Sequence, residues 1–301
     1  MKKVLVTGGT LFASRYVAEY YVKKGYQVFV LNRNSRPQPE GTILIEADRH
    51  DLGGKLRRRQ FDVIFDITAY TASDVASLLD AVGGYGDYIL ISSSAVYPET
   101  TPQPFREDAP LGENRFWGGY GTGKIEAERL LAQRDPNAYI LRPPYLYGPM
   151  NNLYREAFVF ECALKGRKFY LPQNGEGRLQ FFHIGDLCRF MDILLEQKPA
   201  QHIFNVGNPE TVSIRSWAAL CCQTAGKPAE FVPVLRGDIE QRNYFSFYRY
   251  EYRLDVSAQG ALMPDTMPLE DGLRESFAWY INHPGEVNRK PYLQYIDDNF
   301  T

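Results

Sequence analysis

The first 142 residues alternate short, nearly all-apolar runs with amphipathic stretches, and this alternation constrains the fold more than any other feature of the chain. Lys3–Val6, Gln27–Leu31, Thr42–Glu46, Phe61–Ile67, Tyr88–Ser92 and Ala138–Leu141 read as six strands. A strand that is apolar throughout needs cover on both faces, which helical crossovers between parallel strands supply. The intervening pattern predicts helices over Arg15–Lys24, closed by Gly25, over Ser73–Ala81, opened by a Ser cap, and over Ile125–Gln133. The expected class is α/β, a parallel sheet with helices on both sides.

Past Gly148 the texture changes: aromatics, prolines and loops dominate Asn151–Pro172, and Glu240–Thr301 is irregular apart from a helix near Leu269–Ile281. A helix over Asp186–Glu196 and a strand over His202–Val206 restore the earlier pattern. The expected division is therefore a sheet domain over 1–148, with 184–208 returning to it, and a mainly substrate-binding part over 149–301. The 301 residues suit two domains at roughly 150 residues each.

Composition narrows the function. With 34 Lys plus Arg against 36 Asp plus Glu, the chain lacks the basic excess of a dedicated nucleic-acid binder. No apolar run approaches the ~18 residues of a membrane span, and Val4-Leu5-Val6 is too short for a secretory signal. The four cysteines, Cys162, Cys188, Cys221 and Cys222, form no C-x-x-C pair and read as reduced thiols of a cytoplasmic protein. The four histidines are scattered, so no metal site is expected.

Two constellations carry chemistry. Val4–Ser14 is a strand, a Gly turn and a helix start, and a helix N-terminus offers free N–H groups and partial positive charge to a phosphate. Gly8 permits the turn, whereas Leu11 and Ser14 stand where a dinucleotide fingerprint has glycines. The second strand ends Leu31-Asn32-Arg33 without the usual ribose-binding acid. Arg33 and Arg36 are partners for a 2′-phosphate, favouring NADP over NAD, or else solvated surface charges. Asp48 is either an acceptor for an adenine amino group or a turn residue.

Downstream, Tyr120 and Lys124 sit four residues apart, on one face if the segment is helical. An ammonium about 4 Å from the phenol is worth ~4 kcal/mol at an effective dielectric of ~20, or about three pKa units. The spacing thus predicts a tyrosine that titrates close to neutrality and serves as general acid/base. Ser92-Ser93-Ser94 follow a strand end, where such sheets bind ligands.

With these segments in hand, the chain resembles an extended short-chain dehydrogenase/reductase of the NAD-dependent epimerase/dehydratase type. The match runs in order through Val4–Ser14, Ile91–Pro98, Tyr120–Glu128, Leu141–Pro149, Phe181–Leu187 and Phe204–Asn208. The resemblance implies a Rossmann-type, doubly wound sheet with a smaller C-terminal substrate domain. It implies catalytic roles for Ser93, Tyr120 and Lys124, with Ser94 as the alternative serine. For NAD(P) it implies Gly8, Thr10, Leu11 and Phe12 at the phosphates and Asn32 and Arg33 at the ribose. Asp48 falls at the adenine, Thr68 and Ala69 on the loop after the fourth strand, and Lys124, Pro143 and Tyr145 at the nicotinamide end. The substrate is a small molecule such as a nucleotide sugar, transformed at a hydroxyl or carbonyl.

Three departures qualify this picture. The Leu11 loop is similar to that of atypical members, including chloroplast stem-loop RNA-binding relatives, so a non-catalytic nucleotide- or RNA-binding protein on the same scaffold is the alternative. Leu179 stands where sugar-nucleotide epimerases place a diphosphate-binding arginine; Arg178 is adjacent but points to the other side of a strand. Arg155, Lys165, Arg167 and Lys168 are other anion partners, or a solvated basic face. Ser94-Ala95 occupy the slots of the acidic pair of 4,6-dehydratases and speak against that reaction. The resemblance also implies a homodimer through the segments Val75–Val82 and Tyr120–Gln133.

Overall fold

The computed structural model describes residues 1–300. Its frame is a seven-stranded sheet, β1 (Lys3–Thr7), β2 (Gln27–Asn32), β3 (Thr42–Glu46), β4 (Gln60–Asp66), β5 (Gly84–Ile91), β6 (Tyr139–Arg142) and a late strand, Ile203–Asn205. All pairings are parallel, in the order late strand-β6-β5-β4-β1-β2-β3. The order reverses between β1 and β4, and ligands of such sheets bind at that switch point, beyond the carboxyl ends of the strands.

Both faces of the sheet are dry, as the apolar strands require. On one face α1 (Phe12–Lys23) packs through Val17, Ala18 and Tyr21. On the other, α2 (Ala72–Ala81) and α3 (Gly119–Arg134) pack through Val75, Leu78, Ala127 and Leu131. The cap of α2 is Thr71 rather than a serine, in a reciprocal capping box with Asp74.

The helix α3 begins six residues before the expected Ile125, because two of its three glycines, Gly121 and Gly123, serve contacts rather than flexibility. A Cβ on Gly123 would stand 2.5 Å from the Tyr70 carbonyl, and one on Gly121 would strike the Ala95 carbonyl. Their low helix propensity is overruled by the close approach they allow. That approach draws Tyr120 and Lys124 against the loops after β4 and β5.

Beyond β6 the chain adds β7 (Tyr145–Tyr147), α4 (Glu156–Leu164), β8 (Phe169–Pro172), β9 (Arg178–Leu179), β10 (Phe181–His183) and α5 (Ile184–Gln197). The late strand is β11; β12 (Val212–Ser213), α6 (Ile214–Thr224) and β13 (Phe231–Val234) follow. The chain closes with α7 (Ser257–Leu262), α8 (Leu269–Asn282) and α9 (Tyr292–Asn299), two more helices than the sequence pattern predicts for this stretch. The strands β7/β10, β9/β12 and β8/β13 form three separate two-stranded pairs. They frame an aromatic core around Phe158, Phe169, Phe181, Trp217, Phe245 and Phe247. By contrast α5 and β11 belong to the core of the large sheet, through Leu187, Met191, Leu194 and Phe204.

Candidate active site

A cavity of about 620 Å³ lies over the carboxyl ends of β1, β2 and β4, at the switch point. Its wall includes Gly8, Thr10, Leu11, Asn32, Arg33, Asp48 and Thr68 from the sequence-derived set. Gly8 and Gly9 hold φ of +87° and +93°. A Cβ on Gly9 would stand 2.5 Å from Val30, so a tight turn is possible here only with glycine. Leu11 is the extended residue before α1 and is 38% exposed at the rim. The Ser14 hydroxyl donates to the Leu11 carbonyl at 2.9 Å. The two missing glycines therefore leave the cavity open: one slot points outward and the other is small and turned inward. Phe12 is buried beneath the loop instead of lining the cavity.

Asn32 braces the glycine loop, donating to the Gly8 carbonyl at 2.7 Å and to Gln38 at 2.9 Å. Asp48 accepts from the His50 backbone N–H at 2.9 Å, which shapes the turn after β3. Arg33 and Arg36 are both exposed at the rim.

One residue of this wall escaped sequence reasoning. Arg49 donates to both carboxylate oxygens of Asp66, at 3.0 and 2.9 Å, and to Thr68 Oγ1 and the Asp74 carbonyl. Asp66 is fully buried and also accepts from Thr7 at 2.7 Å and from Tyr88. The Arg49 guanidinium holds its carboxyl below the ordinary range despite burial. Arg49 Nε is buried, 3.4 Å from Asp74 Oδ1, and completes no hydrogen bond among the described residues. The sequence signal for it is Asp66, the acid that closes β4.

The second constellation lies at the carboxyl ends of β5 and β6. Ser93 precedes a short helical turn and accepts from the Ala95 N–H at 3.1 Å. Its hydroxyl lies near enough to the Tyr120 phenol to favour the phenolate electrostatically. Lys124 is buried one helical turn further on, and its ammonium donates to the Ala69 and Ile91 carbonyls, both at 2.7 Å. Ser93, Tyr120, Lys124 and Ala69 are thus brought together. Pro143 and Tyr145 are buried nearby, and the Pro143 carbonyl accepts from the Ser94 N–H at 2.9 Å.

The electrostatics differ from the sequence expectation. The ammonium lies 5.9 Å from the Tyr120 ring centre and spends two donors on carbonyls. Burial lowers Lys124 to about 8. Tyr120, though 40% exposed as a residue, has its phenol pushed up by burial of the hydroxyl end. The nearby Ser93 hydroxyl and the Arg155 charge pull it the other way without winning. Desolvation, which sequence spacing leaves out, outweighs the cation at this distance. In the chain alone Tyr120 is a neutral phenol at neutral pH, and the expectation of a near-neutral titration is corrected.

The three substrate candidates separate. Arg155 stands over the Tyr145 ring at 4.8 Å, close enough to Tyr120 to act on it electrostatically. Ser94 is buried beside Tyr252. Arg178 turns outward, donates to Thr211, and lines a second cavity of about 620 Å³ together with buried Leu179. Of the remaining cations, Lys165 pairs with Glu161 and Arg167 with Asp297.

Comparison with known proteins decides the family. The model of the NAD dependent epimerase/dehydratase family matches residues 4–207. The chain belongs to that family.

This epimerase/dehydratase-family chain is 30% identical over 247 residues to the chloroplast stem-loop binding protein of 41 kDa b from Arabidopsis thaliana. The match takes in 75% of the chain and 64% of that relative, so the chain spans just under two thirds of its length. A dTDP-4-dehydro-6-deoxy-D-allose reductase from Streptomyces sp is 24% identical, over 94% of this chain and 97% of that one. Among solved structures, the WbmG enzyme of Bordetella bronchiseptica, in complex with NAD, superposes with a TM-score of 0.77 at 18% identity. That alignment covers 95% of this chain and 96% of the enzyme. UDP-glucuronic acid 4-epimerase from Bacillus cereus gives 0.72 at 21% identity, covering 93% and 99%. The family is one of extended short-chain dehydrogenase/reductase enzymes, and the Rossmann-like sheet matches that architecture. No helix among the described residues is long and apolar enough to cross a membrane. No group of three or more His, Cys, Asp or Glu among them is placed to hold a metal ion.

Proposed function

We propose that the chain is an NADP-preferring oxidoreductase or epimerase that acts on a hydroxyl or carbonyl carbon of a nucleotide sugar. The observation that carries this reading is the placement of the Ser93 hydroxyl beside the Tyr120 phenol, one helical turn from a buried Lys124. The dinucleotide fits the switch-point cavity: the glycine turn admits a phosphate, and Arg33 and Arg36 offer charge where NAD-specific relatives have an acid. Gly8, Thr10 and Leu11 would hold the pyrophosphate, Arg33 a 2′-phosphate, and Lys124 a ribose near Ala69.

Bound nicotinamide supplies hydride acceptance and return. The chain supplies the proton chemistry. In the reducing direction the neutral Tyr120 phenol gives its proton to the carbonyl oxygen as hydride reaches the carbon and is left as a phenolate; in the oxidising direction that phenolate takes the proton of the substrate hydroxyl. Ser93 donates a hydrogen bond to that same oxygen and fixes it beside the phenol. The charge of Lys124 favours the phenolate as it forms. Because the free phenol is held high by burial, the proton moves only in concert with substrate chemistry.

The nucleotide end of the substrate suits the second 620 Å³ cavity, where the Phe116 and Tyr250 rings stack at 4.6 Å and Tyr248 packs beside them. That region supports the substrate class suggested by the nucleotide-sugar enzymes among its relatives. The exposed faces of α2 and α3 are the homodimer surface of this reading, and sedimentation at twice 34.5 kDa checks it.

Titration with NADPH and NADH, followed by cofactor fluorescence, tests the assignment. Tight NADPH binding with weaker NADH binding supports it; binding of neither sinks it. The kinship with a stem-loop binding protein, together with the exposed run Lys55, Arg57, Arg58 and Arg59, favours a second reading as an RNA binder. Salt-dependent binding of a stem-loop RNA that is abolished by neutralising that run would support the second reading.

A further inference from the structure

The substrate side of Tyr120 contains a small cavity of about 110 Å³ with an unusual wall. Its cations are Arg155, Arg242 and Lys290, its aromatic surfaces include Trp117, Tyr145 and Phe247, and no Asp or Glu lines it. The Trp117 ring lies 6.4 Å from both the Tyr120 and the Tyr145 rings, which fixes the cavity beside the reacting phenol.

The cations here are held differently from others in the molecule. Arg142, Arg167 and Arg289 each face a carboxylate. None of Arg155, Arg242 and Lys290 makes an ion pair among the described residues. Instead, the Arg155 guanidinium sits 4.8 Å from the Tyr145 ring centre and 5.6 Å from that of Phe247. Arg242 sits 4.7 Å over Tyr248. Among the described residues the Arg155 side chain makes one hydrogen bond, a long one of 3.5 Å to the Leu146 carbonyl, and the Arg242 side chain donates to the Ser246 carbonyl. A planar guanidinium stacked on a ring keeps its in-plane N–H fork free, and the fork matches a carboxylate or phosphate.

Three positive groups around one cavity repel one another, and a partner anion relieves that repulsion. The volume excludes a sugar ring plus its substituents but accepts one acidic group, since a water occupies about 30 Å³ of liquid. We infer that Arg155, Arg242 and Lys290 form an anion subsite that takes an acidic oxygen group of the substrate while its reacting carbon lies at Tyr120. This rests on the substrate reading above and deepens it. The subsite also explains how a chain with Leu179 in the usual arginine slot recognises an anion: the charge has moved to the loop before α4 and the segment after β13. The acidic group is either a carboxylate on the reacting ring or a phosphate of the nucleotide, two sources of one chemistry.

The test titrates the full chain calorimetrically at low salt with glucuronate and with inorganic pyrophosphate, probes that need no base recognition. At least one is expected to bind, and Arg155→Gln and Arg242→Gln each to raise its Kd about tenfold or more. Arg155→Lys should recover part of the loss, because it keeps the charge and forfeits the fork. Stronger glucuronate binding identifies a ring carboxylate; stronger pyrophosphate binding identifies the nucleotide phosphates. No binding of either probe, or unchanged Kd in both Gln variants, overturns the subsite. NADPH affinity, measured on the same proteins, should be unaltered by the substitutions and so reports intact folding. Anion binding that depends on Arg155 in a chain that binds no NADPH would fail the oxidoreductase reading and leave the subsite standing.

Discussion

Two polar clusters share the helix α3 and the carboxyl ends of β5 and β6, yet one is sealed and the other open. In the first, Ser92 and Arg142 close on Glu128. Arg142 donates to both Glu128 oxygens, at 3.0 and 2.6 Å, to the Tyr97 hydroxyl at 2.8 Å and to the Glu107 carbonyl. Tyr97 in turn donates to Asn205 at 2.8 Å, tying β11 into the network. Arg142 and Glu128 are both almost wholly buried. In the second cluster, displaced by one residue on the strand end and one helical turn on α3, Tyr120 is 40% exposed and its phenol lies beside the Ser93 hydroxyl. A saturated network holds one arrangement, whereas an open one keeps donors and acceptors for a substrate.

The comparison can be broken at several points, beginning with the largest effect. Arg142→Ala should cost about 3–5 kcal/mol of stability by stranding the buried Glu128 carboxylate, and the double variant Arg142→Met/Glu128→Leu should recover most of it. Chemical denaturation of the two proteins measures this; equal losses would mean that the network is not cooperative. Tyr120→Phe should lower kcat by about 10²- to 10⁴-fold with stability nearly unchanged, the reverse of Arg142→Ala. Once a turnover assay exists, steady-state rates decide it.

Lys124 gives a pH signature between these extremes. Its folded value of about 8 lies below the ordinary 10.5, so the cost of burying the ammonium is fully present below pH 8 and is relieved as pH rises toward 10.5. Relative to Lys124→Met, the wild type should therefore gain up to about 3 kcal/mol across that window. Parallel denaturation curves at pH 7 and 10 test the sign. The smallest effect is expected at the rim: Arg33→Ala should weaken NADPH about tenfold and NADH hardly at all, as a fluorescence titration would reveal.

Much of this was legible from residue patterns. Apolar runs flanked by helical stretches gave the parallel sheet, and ordered short motifs gave the positions of Ser93, Tyr120 and Lys124. The start of α3 differs from the sequence expectation because Gly121 and Gly123 look like helix breakers until the Ala95 and Tyr70 carbonyls they admit are known. Arg49 went unnoticed since nothing local marks its pairing with Asp66, 17 residues away across two strands. The Arg155–Arg242 grouping was equally invisible, joining segments 87 residues apart.

What the sequence determined alone is whatever periodicity encodes: which faces of strands and helices must be dry, and hence the parallel sheet and the shared face of Tyr120 and Lys124. The tertiary structure alone decided how acidic those two groups are and which arginines lack a carboxylate. Periodicity is a local property, read over a few residues. Desolvation and pairing sum over every neighbour that folding brings near, and here burial raised a phenol that spacing alone would have lowered.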